Sequence, residues 1–258
     1  MKVDAISLAY IQNVVKTAKL LKIQNIIIEP GKVRGMDDDQ TVVIFQDNNV
    51  PDMPFGSIGL NRLDVFSSRF DIIRATTGSS IEIGTMGDDN TIGFDKFDIK
   101  DKSKAGMKSP MWAKTIEMSG LNTTIDYRCA NPSIIKAPKS RSDKNRFLLG
   151  MTENAFAMMV KGKSAMDSDF VTIKGNTKGV QLLVTDDNGD SLKYKFGDDI
   201  VCLFPGEEFP TFSFNYPIEK LIPLFKPNPD TGFHITEKGF LVGSLHELDI
   251  YIAPTTQI

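Results

Sequence analysis

Histidine and cysteine are scarce, with two of each in 258 residues, and that scarcity removes most site chemistry. Cys129 and Cys202 stand in no metal-ligand or redox spacing, so both read as reduced thiols rather than as a disulfide or a zinc site. His234 and His246 fall in expected strands of one terminal hairpin, with no serine or cysteine nucleophile in a recognisable setting. Long apolar runs are also missing. The stretch 5–21 is broken by Gln12, Asn13, Lys16 and Lys19, so it is neither a signal peptide nor a membrane span, and the expected location is the cytoplasm. Without secretion, the glycosylation acceptor Asn122-Thr-Thr124 is idle. A cationic excess is absent as well: the net charge of -3 argues against a protein that grips nucleic acid over most of its surface. It leaves open one that concentrates its cations.

Two motif fragments fail on inspection. Gly162-Lys163-Ser164 looks like the end of a phosphate-binding loop, but that pattern needs glycine at 157, where this chain has Ala157 within an expected helix. The run 186–190 looks like a calcium loop, yet putting Gly189 at the sixth position places Val184 at the first and Lys195 at the twelfth, where carboxylates are required. Asn188-Gly189 reads instead as a tight hairpin turn. No catalytic residue, metal site or cofactor is expected, and the chain reads as a non-enzyme.

What the sequence does contain is one plan stated twice. Leu8, Ile11, Val15 and Ala18 recur at helical spacing, with Lys16, Lys19 and Lys22 turned elsewhere; Phe156, Met159 and Val160 repeat the pattern, with Lys161 and Lys163 beyond. Each helix precedes a strand-turn-strand pattern, over 25–36 and 170–184. A second short helix follows in each half, over 61–73 with Leu63, Phe66 and Phe70 inward, and over 217–225 with Ile218, Leu221, Ile222 and Phe225 inward. Pro217 suits the first helical position. Further hairpins are expected over 80–94, turning at 87–90, and over 232–253, turning at 237–239. The fold class is α+β, two repeated domains each with two helices on antiparallel sheets. The copies lie 145 residues apart at the first helix and 156 at the second, so the repeat carries insertions.

Charge follows the same frame. Acids gather in expected loops at 37–39, 88–89, 186–187, 198–199 and 207–208. Cations fall on the helices or at their ends: Lys16, Lys19, Lys22, Arg62, Arg69, Arg74, Lys161, Lys163, Lys220 and Lys226. Two readings stand: a shared positive face, or the ordinary solvent side of amphipathic helices.

Val33-Arg-Gly-Met-Asp-Asp-Asp-Gln-Thr-Val-Val-Ile44, followed by Ile58-Gly-Leu-Asn-Arg-Leu-Asp-Val-Phe66, resembles the first domain of DNA sliding clamps, including the PCNA type. The connector Cys129-Ala-Asn-Pro-Ser-Ile-Ile-Lys-Ala-Pro138 is similar to clamps of T-even-like tailed phages, and the ending Leu248-Asp-Ile-Tyr-Ile-Ala-Pro254 resembles the PCNA terminus. The region 100–120, with Lys102, Lys104, Lys108 and Trp112, departs from that pattern and reads as an insertion. The resemblance implies domains over 1–128 and 147–258 joined by a connector over 129–146. It also implies a head-to-tail homotrimeric ring that encircles duplex DNA, tethers the replicative DNA polymerase and needs a clamp loader, with no membrane partner.

Geometry favours three chains. A compact domain of about 125 residues is roughly 35 Å across, so six around a ring leave a hole of about 35 Å and four leave about 15 Å. Only the first passes B-form DNA, whose grooves together span roughly 18 Å. The ten cations above would face the DNA loosely, without base reading. By resemblance, the subunit seam would join the strands near 123–128 and 191–196, with Ile125 and Tyr127 on one side and Leu192, Tyr194 and Phe196 on the other; the other reading makes both ordinary internal strands. Carried over by position, a partner peptide would dock against Met36, Gln40, Thr41, Ile134, Ile135, Tyr251, Ala253 and Pro254. Ile134 and Ile135 either receive that peptide, pin the connector to its own domain, or do both. Outside the closed ring stand two alternatives: a monomeric processivity factor with an open basic face, and a phage structural or interaction module of duplicated β-rich domains.

Overall fold

The structure is a computed structural model that describes residues 5–51, 56–74, 80–85, 112–120, 122–138, 143–176, 179–197, 201–202 and 211–255. The chain clusters into two compact units, Met1–Met36 with Phe45–Pro138, and Asp37–Ile44 with Lys139–Ile258.

The first unit opens with α1 (Ala5–Leu20), which buries Ile11, Val14, Val15 and Ala18 and leaves Lys16 and Lys19 exposed. It ends as the Ile23 amide bonds back to the Ala18 carbonyl at 2.8 Å, with Lys22 in the left-handed region at φ 58° where glycine is commoner. A hairpin follows, β1 (Ile26–Glu29) and β2 (Lys32–Met36), closed by Pro30-Gly31 with Gly31 at φ 72°, as a type II turn requires. Next come β3 (Val42–Gln46), whose first three residues belong to the second unit, and β4 (Ile58–Leu60), which pairs with β1. Helix α2 (Leu63–Arg74) buries Leu63, Phe66 and Ile73 and leaves Phe70 half-buried. A second sheet runs in the order β5 (Ser80–Thr85), β6 (Ala113–Gly120), β7 (Thr123–Arg128).

The second unit begins its regular structure with β8 (Asn145–Met151) and α3 (Glu153–Ala165), whose Thr152 hydroxyl caps the Ala155 amide at 3.1 Å. The hairpin β9 (Phe170–Asn176) and β10 (Gly179–Thr185) extends to β11 (Ser191–Lys195), and β12 (Val201–Cys202) pairs with β8. Strand β13 (Phe212–Pro217) pairs with β9 and leads straight into α4 (Ile218–Phe225). The meander β14 (Thr231–Thr236), β15 (Leu241–Leu245) and β16 (Leu248–Ile252) completes the unit, and β16 takes Val42, Val43 and Ile44 of β3 as its neighbour. Its core joins Phe225, Phe233 and Phe196, with ring centroids 5.5 and 6.3 Å apart. Tyr216 lies fully buried and donates to the Gly239 carbonyl at 2.6 Å, while burial pushes its phenol well above the ordinary range.

The duplication is therefore real. Helix, hairpin, a strand returning to the hairpin's first member, and a second helix occur as α1-β1-β2-β4-α2 and again as α3-β9-β10-β13-α4.

Several local expectations are corrected. On α3 the buried residues are Ala155, Met159 and Gly162, while Phe156 is half-buried and Val160 is 36% exposed. The reason is proximity. A Cβ on Gly162 would lie 3.0 Å from Val184 Cγ2, so that point of contact with β10 has no room for a larger residue. On α4, Leu224 is buried and Ile222 only partly, and Pro217 caps the helix from the end of β13 rather than occupying its first turn. The partner of β5 is β6, so 113–120 is the middle strand of a sheet rather than inserted sequence. The turn expected at 87–90, the strand to 94 and Lys102, Lys104 and Lys108 lie outside the described residues.

Candidate functional site

In the first unit α1 and α2 lie side by side, separated by an open groove of about 660 Å³ lined by Val15, Leu20, Phe66 and Phe70 with Lys16 and Lys19 at its edge. Lys16 and Arg62 are exposed, and Lys19 is exposed while donating to Ser67 Oγ at 3.0 Å. Lys22 is exposed just beyond the end of α1. Arg69 is half-buried and donates to the Asp126 carbonyl of β7 at 3.1 Å; the Arg74 side chain lies outside the described residues.

In the second unit α3 and α4 are likewise neighbours. Lys161 and Lys226 are exposed. Lys163 pairs with Asp169 at 2.8 Å, an exposed contact of the kind worth about 0–1 kcal/mol. Lys220 is different. Its side chain is only 12% exposed, and its ammonium lies 3.0 Å from the buried carboxylate of Asp37 and 4.0 Å from that of Asp39. Asp37 also accepts from the Thr41 amide at 2.7 Å, the Thr41 hydroxyl at 2.8 Å and the Val42 amide at 2.9 Å. Burial alone would raise the Asp37 pKa. The Val42 amide, Lys220 and Thr41 outweigh it and hold the carboxyl below its ordinary 3.8.

Four of the five proposed seam residues lie on terminal strands, Phe196 falling just past β11: among the described residues β7 ends the sheet β5-β6-β7, and β11 ends β11-β10-β9-β13. Tyr127 is fully buried, stacks edge-on with Phe66 at 4.9 Å and donates its hydroxyl to the Asn61 carbonyl. Ile125 is half-buried. Tyr194 bonds the Thr152 hydroxyl at 2.9 Å, Phe196 is buried, and Leu192 reaches Gly162 of α3. In both units, then, an edge strand is packed under a helix.

The peptide-pocket residues divide between the units. In the second, strand pairing brings Thr41 beside the chain terminus, the Ala253 amide donating to the Thr41 carbonyl at 2.7 Å; Tyr251 is buried, Ala253 and Pro254 half-buried, and Gln40 exposed at φ 59°. In the first, Met36 is half-buried and the two isoleucines part company. Ile134 is 74% exposed on a short 3-10 turn (Pro132–Ile134), whereas Ile135 packs against Gly59. Gly59 is required there, since a Cβ would collide with the Ala130 carbonyl.

The geometry has close counterparts among solved structures. The chain has the PCNA fold. A PCNA2–PCNA3 complex of Sulfolobus tokodaii matches at a TM-score of 0.54 and 17% identity, over 100% of both chains. PCNA of Entamoeba histolytica matches at 0.54 and 12%, over 96% of both. A. fulgidus PCNA with the bound C-terminal region of FEN-1 matches at 0.57 and 12%, over 95% of this chain and 96% of that one. No family profile and no curated relative matches the sequence. At these identities the PCNA likeness establishes the fold.

Sequence reasoning missed Asp37 as a structural anchor. Its four-residue spacing to Thr41 is a legible loop signal, but its pairing with Lys220, 183 positions away, has none. Among the described residues no group of three or more histidine, cysteine, aspartate or glutamate side chains could hold a metal ion, and no helix is long and apolar enough to cross a membrane. Cys129 is buried, which pushes its thiol up to about 12 and leaves it a neutral packing group.

Proposed function

We propose that this protein is a non-catalytic sliding clamp, of the type found in T-even-like tailed phages, that closes as a homotrimer around duplex DNA and tethers the replicative polymerase in the cytoplasm after loading by a clamp loader. One observation carries this reading above the others: among the described residues each unit ends a sheet in an edge strand, β7 or β11, packed under a helix of the pair that carries exposed cations. Exposed edges are a liability that proteins cover, and pairing β7 of one chain with β11 of the next gives a head-to-tail interface that closes when the rotation fits. The helices would then turn Lys16, Lys19, Lys161 and Lys226 toward the phosphates. At a Debye length of about 8 Å such cations attract DNA without reading bases, and topology retains it. Lys163 and Lys220, already paired within their unit, contribute less to that face.

Two measurements test the proposal. Native mass at micromolar concentration is expected to give a trimer, and the loaded protein should stay on nicked circular DNA while sliding off linear DNA. A stable monomer that holds both DNAs equally would favour an open-faced processivity factor and overturn the ring.

A further inference from the structure

Beside the connector, wholly within the first unit, lies a recess of about 380 Å³ that draws Arg62 from the expected DNA-facing cations and Arg128 from the end of the strand expected at the seam. Its walls carry three exposed cations, Arg62, Lys114 and Arg128, brought together because Lys114 lies near the start of β6, Arg128 ends β7 and Arg62 precedes α2. Among the described residues no carboxylate lines it, and none of the three cations forms an ion pair. The buried thiol of Cys129, neutral at physiological pH, adds no compensating charge. The half-buried Trp112 contributes an aromatic face, and Ile134 stands at the rim with 74% of its surface in water. Like charges that line one recess repel one another, and an anionic ligand relieves that repulsion.

We propose that this recess receives an acidic segment flanking the partner peptide that docks on the connector, with carboxylates at Arg62, Lys114 and Arg128 and an adjoining apolar side chain covering Ile134. This rests on the partner-tethering part of the proposed function. Ile134 decides between the candidate anions: a peptide with an apolar residue beside its carboxylates both neutralises the cations and dries the isoleucine, whereas a nucleic-acid strand supplies phosphates and bases but no aliphatic cover.

The chain's single tryptophan makes the test direct, because Trp112 is the only indole and lies in the recess. Three probes are titrated: a peptide of leucine and phenylalanine followed by three glutamates, the same peptide with three glutamines, and an oligothymidylate. The glutamate peptide is expected to shift Trp112 emission and to bind about tenfold more tightly than the glutamine peptide at low salt, the advantage shrinking towards unity at high salt. Lys114→Glu, at a residue assigned no other role, should remove most of that advantage while leaving native mass and retention on nicked circles unchanged. Equal binding of the two peptides to a wild-type trimer that slides on DNA overturns this inference and spares the clamp. A shift caused by the oligothymidylate alone also overturns it, making the recess a single-strand site. A wild-type protein that is monomeric and fails to stay on nicked circles overturns the underlying reading instead.

Discussion

On α1 the buried stripe is built from Ile11, Val14, Val15 and Ala18, while on α3 it is built from Ala155, Met159 and Gly162, so two helices at the same place in one frame reach their cores by different means. Bulky residues fill the space beneath α1. On α3 the missing side chain at Gly162 lets the helix approach β10 until it lies against Val184 and Leu192. The cations diverge in parallel. Among the described residues, Lys16, Lys19 and Arg62 of the first unit are exposed and outside any ion pair, whereas in the second Lys163 is paired with Asp169 and Lys220 is largely buried on Asp37. A duplicated frame preserves strand order and helix position. It leaves each copy free to spend its charged residues on surface or on core.

The largest expected effect tests the internal pair found in the second unit. Asp37→Asn leaves the largely buried Lys220 ammonium with only the exposed Asp39 carboxylate, 4.0 Å away, and should cost about 3 kcal/mol in urea unfolding, with the second unit melting first. The pH dependence has a definite sign. Because the folded pKa of Asp37 is depressed, its contribution is fully present above the unfolded value near 3.8 and is lost as pH falls through the lower folded value, so wild-type and variant urea midpoints should converge in acid. Parallel curves from neutral pH to strong acid would remove the pair from the stability of that unit.

A smaller effect tests the close approach of α3. Gly162→Val places a Cβ 3.0 Å from Val184 Cγ2 and should cost about 2 kcal/mol by overpacking, read as a lowered thermal midpoint. An unchanged midpoint would mean that α3 has room to move outward and that the two helices are not distinguished by packing. The smallest effect concerns the proposed DNA face. Lys16→Gln should weaken DNA retention and flatten its salt dependence by about one unit of slope, more than Lys163→Gln does. Equal losses from both variants would erase the difference in charge use between the units.

Much of the frame was legible because its signals are local. Helical spacing announced α1, α2, α3 and α4, turn residues announced the hairpins at 30–31 and 188–189, and the strand over 123–128 has the expected bounds. The site was less legible. Ile134 and Ile135 are adjacent and chemically alike, yet the first is exposed and the second packs on Gly59, a difference that arises only when β4 passes the connector. Phe156 and Val160 looked like the core face of α3 by size, but Ala155, Met159 and Gly162 are the residues it buries. Lys220 shared a helical surface pattern with Lys226, and only the fold brought Asp37 to it.

Residue order by itself settled the α+β class and the doubling, since these depend on composition and on periodicities of two and 3.6 residues that neighbours along the chain impose. Which strands are edges, which lysines are neutralised and where three cations meet around Trp112 were decided in three dimensions. Pairing and ion contact join residues far apart in the chain, and no short-range pattern encodes a partner 183 positions away.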